Sequence, residues 1–131
     1  MRRSEQVRRS NWRGPLTAVT AKPDEVSLVR IFLVDDNAIA RDALRRALQQ
    51  RSEWIVVGEA YNGRHAVDTF HLHMPHITVM DFIMPELNGL EASRHLFRQY
   101  PDVLILLVTT EPSRELEREA RRAGIRGVSA K

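Results

Sequence analysis

Five residues spread along the chain carry side chains that could work together on one reaction. Asp35, Asp36 and Asp81 are carboxylates, Thr109 is a hydroxyl and Lys131 is an ammonium. Three carboxylates gathered in one place raise one another's pKa unless a cation is present. A hard divalent ion such as Mg²⁺ resolves that conflict, because it favours oxygen ligands and keeps several waters. A carboxylate beside such an ion can attack phosphorus and give an aspartyl phosphate. The transferring phosphoryl group carries its charge on equatorial oxygens, so catalysis is mainly positioning and neutralisation. The divalent ion would cover one oxygen, Lys131 a second, and the Thr109 hydroxyl with backbone N–H groups a third. Each residue also has a plainer reading. Asp35 and Asp36 could cap the helix that follows, although Asn37 is free to do so, Asp81 could be an ordinary strand-end acid, Thr109 is a good strand former, and Lys131 could be solvated. Only their joint placement makes the case.

That placement depends on the elements. Val29–Val34 reads as a buried strand ending in two acids, and Ala38–Gln50 as a helix with Ile39, Ala43, Leu44, Ala47 and Leu48 on one stripe. Trp54–Gly58 is a second strand. Asn62-Gly63 opens a helix with Ala66, Val67 and Phe70 on one face, which Pro75 stops. Ile77–Met80 is a third strand ending at Asp81, and residues 85–89 form a loop. Leu90–Tyr100 reads as a helix with Leu90, Leu96 and Phe97 inward, and Val103–Val108 as a central strand buried on both faces. Pro112 suits the first position of a helix running to Ala123, which Gly124 ends, and residues 125–130 are a fifth strand. The alternation predicts a doubly wound α/β fold with a parallel five-stranded sheet and right-handed crossovers. In such sheets the functional site lies beyond the carboxyl ends of the strands. All five residues fall there, with strands 1 and 3 expected as neighbours.

Composition narrows the class. Hydrophobic residues make up 43% and charged residues 28%, ordinary values for a globular domain. No apolar run approaches the roughly 18 residues a membrane span needs. There is no cysteine, hence no disulfide framework and no thiolate metal site, which suits a cytoplasmic setting. Residues 1–28 hold six basic and three acidic side chains, and residues 29–131 hold 14 of each sign. The head therefore reads as a basic, disordered extension, with a weaker reading as an electrostatic arm. The neutral remainder is not expected to contact nucleic acid directly. His71, His73 and His76 are read as surface residues, since positions two apart on a helix do not share a face.

From residue 29 to 131 the chain resembles the receiver domains of two-component response regulators. The resemblance rests on Phe32-Leu-Val-Asp-Asp-Asn37, Val79-Met-Asp-Phe-Ile-Met-Pro85 with Asn88-Gly89-Leu90, Leu106-Leu-Val-Thr109, and the final nine residues, Ala123 to Lys131. It implies a flavodoxin-like sheet of order 2-1-3-4-5, with Asp81 as phosphoacceptor. It implies Mg²⁺ held by Asp36, Asp81, the backbone carbonyl of Ile83 and, through water, Asp35. Thr109 becomes the switch hydroxyl and Lys131 the phosphoryl-binding lysine. A sensor histidine kinase would be the partner, with a receiver–receiver dimer as a further option, and no membrane is involved. Spacings of 28 residues from Asp81 to Thr109 and 22 from Thr109 to Lys131 resemble the subfamily with a LuxR-type helix-turn-helix output, which suggests transcriptional regulation.

Two features depart from that family's pattern. Val128 stands where an aromatic residue usually reports the switch, so altered output coupling is expected; Thr110 also occupies a place often held by a small residue. The sequence also stops at Lys131, before the family's fifth helix, so part of the sheet face shared with the first helix is expected to be uncovered and stability to be marginal. The role implied is a signalling domain rather than an enzyme. A phosphatase of the haloacid-dehalogenase type would need a second Asp at the position of Ile83, and no Gly-rich nucleotide loop follows the first strand. A pseudo-receiver, an interaction module without phosphorylation, stays open as the alternative.

Overall fold

The computed structural model describes residues 27–131. Up to residue 26, the basic extension expected from the sequence lies outside them. Five strands and four helices alternate: β1 (Val29–Val34), α1 (Ala38–Leu48), β2 (Trp54–Ala60), α2 (Gly63–His73), β3 (Ile77–Asp81), α3 (Gly89–Gln99), β4 (Leu104–Thr109), α4 (Arg114–Ala123) and β5 (Gly127–Ala130). The strands form one parallel sheet in the order β2-β1-β3-β4-β5, as expected.

The period-two alternation of a strand divides β1 between two cores. Phe32 and Val34 join a large cluster with Phe70 of α2, Leu96 of α3 and Leu116 of α4. Val29, Ile31 and Leu33 join a smaller one on the opposite face, against Leu44 and Leu48 of α1. On that second face Leu44, Leu48, Val79, Leu106 and Val108 line an open cleft of about 550 Å³ that reaches Asp35 and Lys131.

Short polar side chains set where the helices begin. The side chains of Asn37, Asn62, Asn88 and Ser113 each accept from a backbone N–H in the first turn of α1, α2, α3 and α4. Asn88 and Glu91 form a reciprocal capping box, with both bonds at 2.9 Å. The structure moves several boundaries. Because Ser113 is the cap of α4, Pro112 stands just outside that helix rather than at its first position. Strand β2 runs on to Ala60, and Met74, with a left-handed φ of 40°, terminates α2 one residue before Pro75.

One histidine expected on the surface is internal. His76 is buried, and its Nδ1 accepts the Arg30 N–H at 2.8 Å while its own N–H donates to the Arg30 carbonyl at 2.8 Å. Its side chain thereby extends the β1–β3 ladder beyond its first registered pair, Ile31 with Ile77. His73 is half-buried, with its ring 5.0 Å from that of Phe32.

Candidate functional site

The pairing of β1 with β3 brings Val34 level with Met80. The next residue on each strand is an aspartate, so Asp35 and Asp81 emerge side by side. Asp36 follows in a bend, and one carboxylate oxygen from each of the three lies within 4.8 Å of the others. Asp35 and Asp81 are buried, at 3% and 5% exposure, whereas Asp36 is exposed.

Asp35 is tied down on every side. Its N–H donates to the Ala60 carbonyl at 3.1 Å, its Oδ1 accepts the Asn37 N–H at 2.9 Å, and its Oδ2 meets Lys131 Nζ at 2.9 Å. Lys131 reaches the site because its N–H donates to the Thr109 carbonyl at 2.9 Å, continuing the β4–β5 ladder. Its ammonium also lies 3.3 Å from Asp81 Oδ2.

Burial first, and then the charge of Asp35, raise the Asp81 pKa above the usual carboxylate range, although Lys131 and a hydrogen bond from the Ile83 backbone oppose the rise. Burial opposes charging of Lys131, but its hydrogen bond to Asp35 and the charges of Asp81 and Asp35 prevail and raise its pKa. The acidic cluster thus retains an excess of negative charge that one ammonium does not balance. An all-oxygen donor set, two members buried and one open to water, fits a hard divalent cation such as Mg²⁺.

The loop after Asp81 is held just as firmly. The Phe82 N–H donates to the Val108 carbonyl at 2.8 Å, while the Gly89 N–H donates to the Phe82 carbonyl at 2.8 Å. Between them the Leu87 N–H reaches back to the Pro85 carbonyl at 2.8 Å across Glu86, whose φ is 67°. This is a three-residue γ-turn, an uncommon conformation for a side-chain-bearing residue. Gly89 packs so close to the Asp81 carbonyl oxygen that a Cβ there would collide with it. Thr109, fully buried at the end of β4, accepts the Glu111 N–H at 3.0 Å through its hydroxyl.

The structure therefore brings Asp35, Asp36, Asp81 and Lys131 together and sets Thr109 on the neighbouring strand end. Ile83 contributes its backbone to Asp81, with its side chain 47% exposed. One contributor escaped the sequence reading. Arg41, on the first turns of α1, donates from Nη1 to the Asp35 carbonyl at 2.7 Å and from Nε to Glu59 at 2.8 Å. Its partner lies 18 residues away on β2, a separation that helical periodicity does not reveal.

Comparison with known proteins agrees with this geometry. The response regulator receiver domain family matches residues 31–131. The transcriptional regulatory protein DegU of Brevibacillus brevis is 30% identical over 79% of this chain and 44% of its own length. The response regulator UvrY of Escherichia coli is 34% identical over 79% of this chain and 48% of its own. The chain thus spans about half the length of these curated relatives. A LuxR-family two-component response regulator from Aurantimonas superposes with a TM-score of 0.78 at 34% identity, covering 80% of this chain and 75% of that one. Fold, strand-end carboxylates and sequence relatives agree: the chain belongs to the response regulator receiver domain family.

Proposed function

We propose that this receiver domain is a phosphoacceptor, taking a phosphoryl group from a sensor histidine kinase in the cytoplasm onto Asp81. The observation that carries the reading is the Asp81 carboxylate at the end of β3, inside an oxygen cluster and 3.3 Å from the Lys131 ammonium. In the step proposed, an Asp81 oxygen forms a bond to phosphorus. The bond from phosphorus to the donor imidazole breaks, and the imidazole nitrogen leaves with the electron pair. Lys131 then shifts from balancing carboxylates to balancing phosphoryl oxygens. The Thr109 hydroxyl, which accepts the Glu111 N–H at 3.0 Å, can instead donate to the phosphoryl group.

Asp36, Asp81 and the Ile83 carbonyl would hold Mg²⁺, with Asp35 acting through water. When bound, the ion supplies charge neutralisation to the phosphoryl oxygens. The consequence is a local gain of negative charge that biases α4, β5 and the adjoining loops. Val128, half-buried and packed on the main core, offers no ring to turn inward, so the change would pass chiefly through Thr109 and the loop into α4. The DegU and UvrY relatives support an output in transcriptional regulation.

The test is incubation with Mg²⁺ and acetyl phosphate, followed by intact mass. One added phosphoryl group, lost in Asp81→Asn, is the expected result. A chain that stays unmodified with acetyl phosphate and with phosphorylated kinases alike would favour a pseudo-receiver instead.

A further inference from the structure

We infer that Arg41 is a positioning residue for the divalent-cation site, locking the Asp35–Asp36 segment through the Asp35 main-chain carbonyl. The inference rests on the phosphoacceptor reading and adds a residue to it. The guanidinium presents a rigid fork whose donors face different ways. Here Nη1 meets the Asp35 carbonyl at 2.7 Å and Nε meets Glu59 Oε1 at 2.8 Å. The Arg41 side chain is 18% exposed and that of Glu59 32%, so both bonds are partly shielded from competing water. Glu59 is held in turn by Arg45 at 3.1 Å through its other oxygen, and Arg45 pairs with Asp42. Of these side chains Arg41 alone bonds the carbonyl between Asp35 and Asp36, and it thereby ties that peptide from α1 to Glu59 of β2.

The consequence has a sign that separates positioning from simple electrostatics. Arg41 is a cation close to a cation site. If its charge were all that mattered, removing it would strengthen divalent binding. If it aligns the carboxylates, removing it weakens binding, and loss of an outer-shell partner of a metal ligand typically costs 10–100-fold in affinity. Arg45 carries the same charge and pairs with the same Glu59 but makes no bond to Asp35, so it serves as the control.

The experiment is Mn²⁺ binding followed by electron paramagnetic resonance, on the full chain and three variants. The expected result is binding about tenfold weaker in Arg41→Ala, unchanged or slightly tighter binding in Arg45→Ala, and an intermediate loss in Arg41→Lys. Lysine keeps the charge but can satisfy only one of the two acceptors, so it reads the same effect should the alanine variant fail to fold by circular dichroism. A wild-type chain that binds Mn²⁺, with Arg41→Ala binding as well or better, overturns the inference alone. A wild-type chain that takes up no Mn²⁺ overturns the phosphoacceptor reading and this inference with it.

Discussion

Lys131 sits between two carboxylates, 2.9 Å from Asp35 and 3.3 Å from Asp81, and so holds two of the three negative groups together. If the same ammonium neutralises the incoming phosphoryl group, Lys131→Gln should slow phosphoryl capture by about 100-fold, the usual scale for removing one preorganised stabiliser of developing charge. Time-resolved intact mass with acetyl phosphate reads the rate, and an unchanged rate would remove Lys131 from the chemistry. A second single residue governs acid stability. His76 Nδ1 must be unprotonated to accept the Arg30 N–H at 2.8 Å, and burial together with the Arg30 charge lowers its pKa below the usual histidine value. The unfolded chain therefore binds the proton first, so stability is complete above about pH 6.5 and falls as the pH drops below it. His76→Asn keeps an acceptor that does not titrate. Unfolding free energies from urea titrations should decline by on the order of 1 kcal/mol between pH 7.5 and 5.5 in the wild type and less in the variant; equal slopes would exclude His76 as the cause. Five of the six proposed site residues were legible in the sequence because each lies at a strand's carboxyl end, a place that alternation alone defines; the Ile83 carbonyl entered only through the family resemblance. His76 and Arg41 were not, since their roles depend on which strands pair and on distances of 46 and 18 residues.

The elements act through their ends. Helix α3 begins with the Asn88–Glu91 capping box, and its first residue, Gly89, rests on the carbonyl of Asp81. Helix start and Asp81 are thus one packed unit. A methyl group at Gly89 would strike that carbonyl and come within 2.8 Å of Leu107 Cδ1. Gly89→Ala should destabilise the fold by about 1–3 kcal/mol and slow Asp81 modification more than Asn88→Ala, which removes only a cap of about 1 kcal/mol. Urea unfolding and adduct formation check the two effects, and a Gly89→Ala chain modified at the wild-type rate would show that the loop tolerates displacement. At the other strand end, Thr109 holds the Glu111 N–H. Phosphorylation should move amide resonances at residues 109–111 and in α4, and identical spectra of the two forms would refute a switching role. Strand and helix types followed from apolar periodicity. Their limits moved where a side chain rather than a pattern decides: Ser113 displaces Pro112 from α4, and Met74 ends α2 by adopting a left-handed φ that composition does not announce.

At the scale of the whole molecule the two faces of the sheet are unequally covered. Phe70, Leu96 and Leu116 from three helices close one face, where Phe32, Ile105 and Leu107 are completely buried. Among the described residues α1 covers the other, none of its residues is fully buried, and a cleft of about 550 Å³ lies beside Leu44 and Leu48. The cost of a large-to-small substitution includes the cavity that the surroundings cannot fill. Leu96 is sealed on all sides, so Leu96→Ala should cost about 2–5 kcal/mol, a large share of the roughly 5–15 kcal/mol by which a domain is stable. Leu44 already borders open space and water reaches it in the folded state, so truncation removes less buried area and creates no closed void; Leu44→Ala should cost less than half as much. Urea denaturation of both variants measures the ratio. Equal losses would mean that the α1 face is as tightly sealed in solution as the other, and that something other than α1 lies over Leu44.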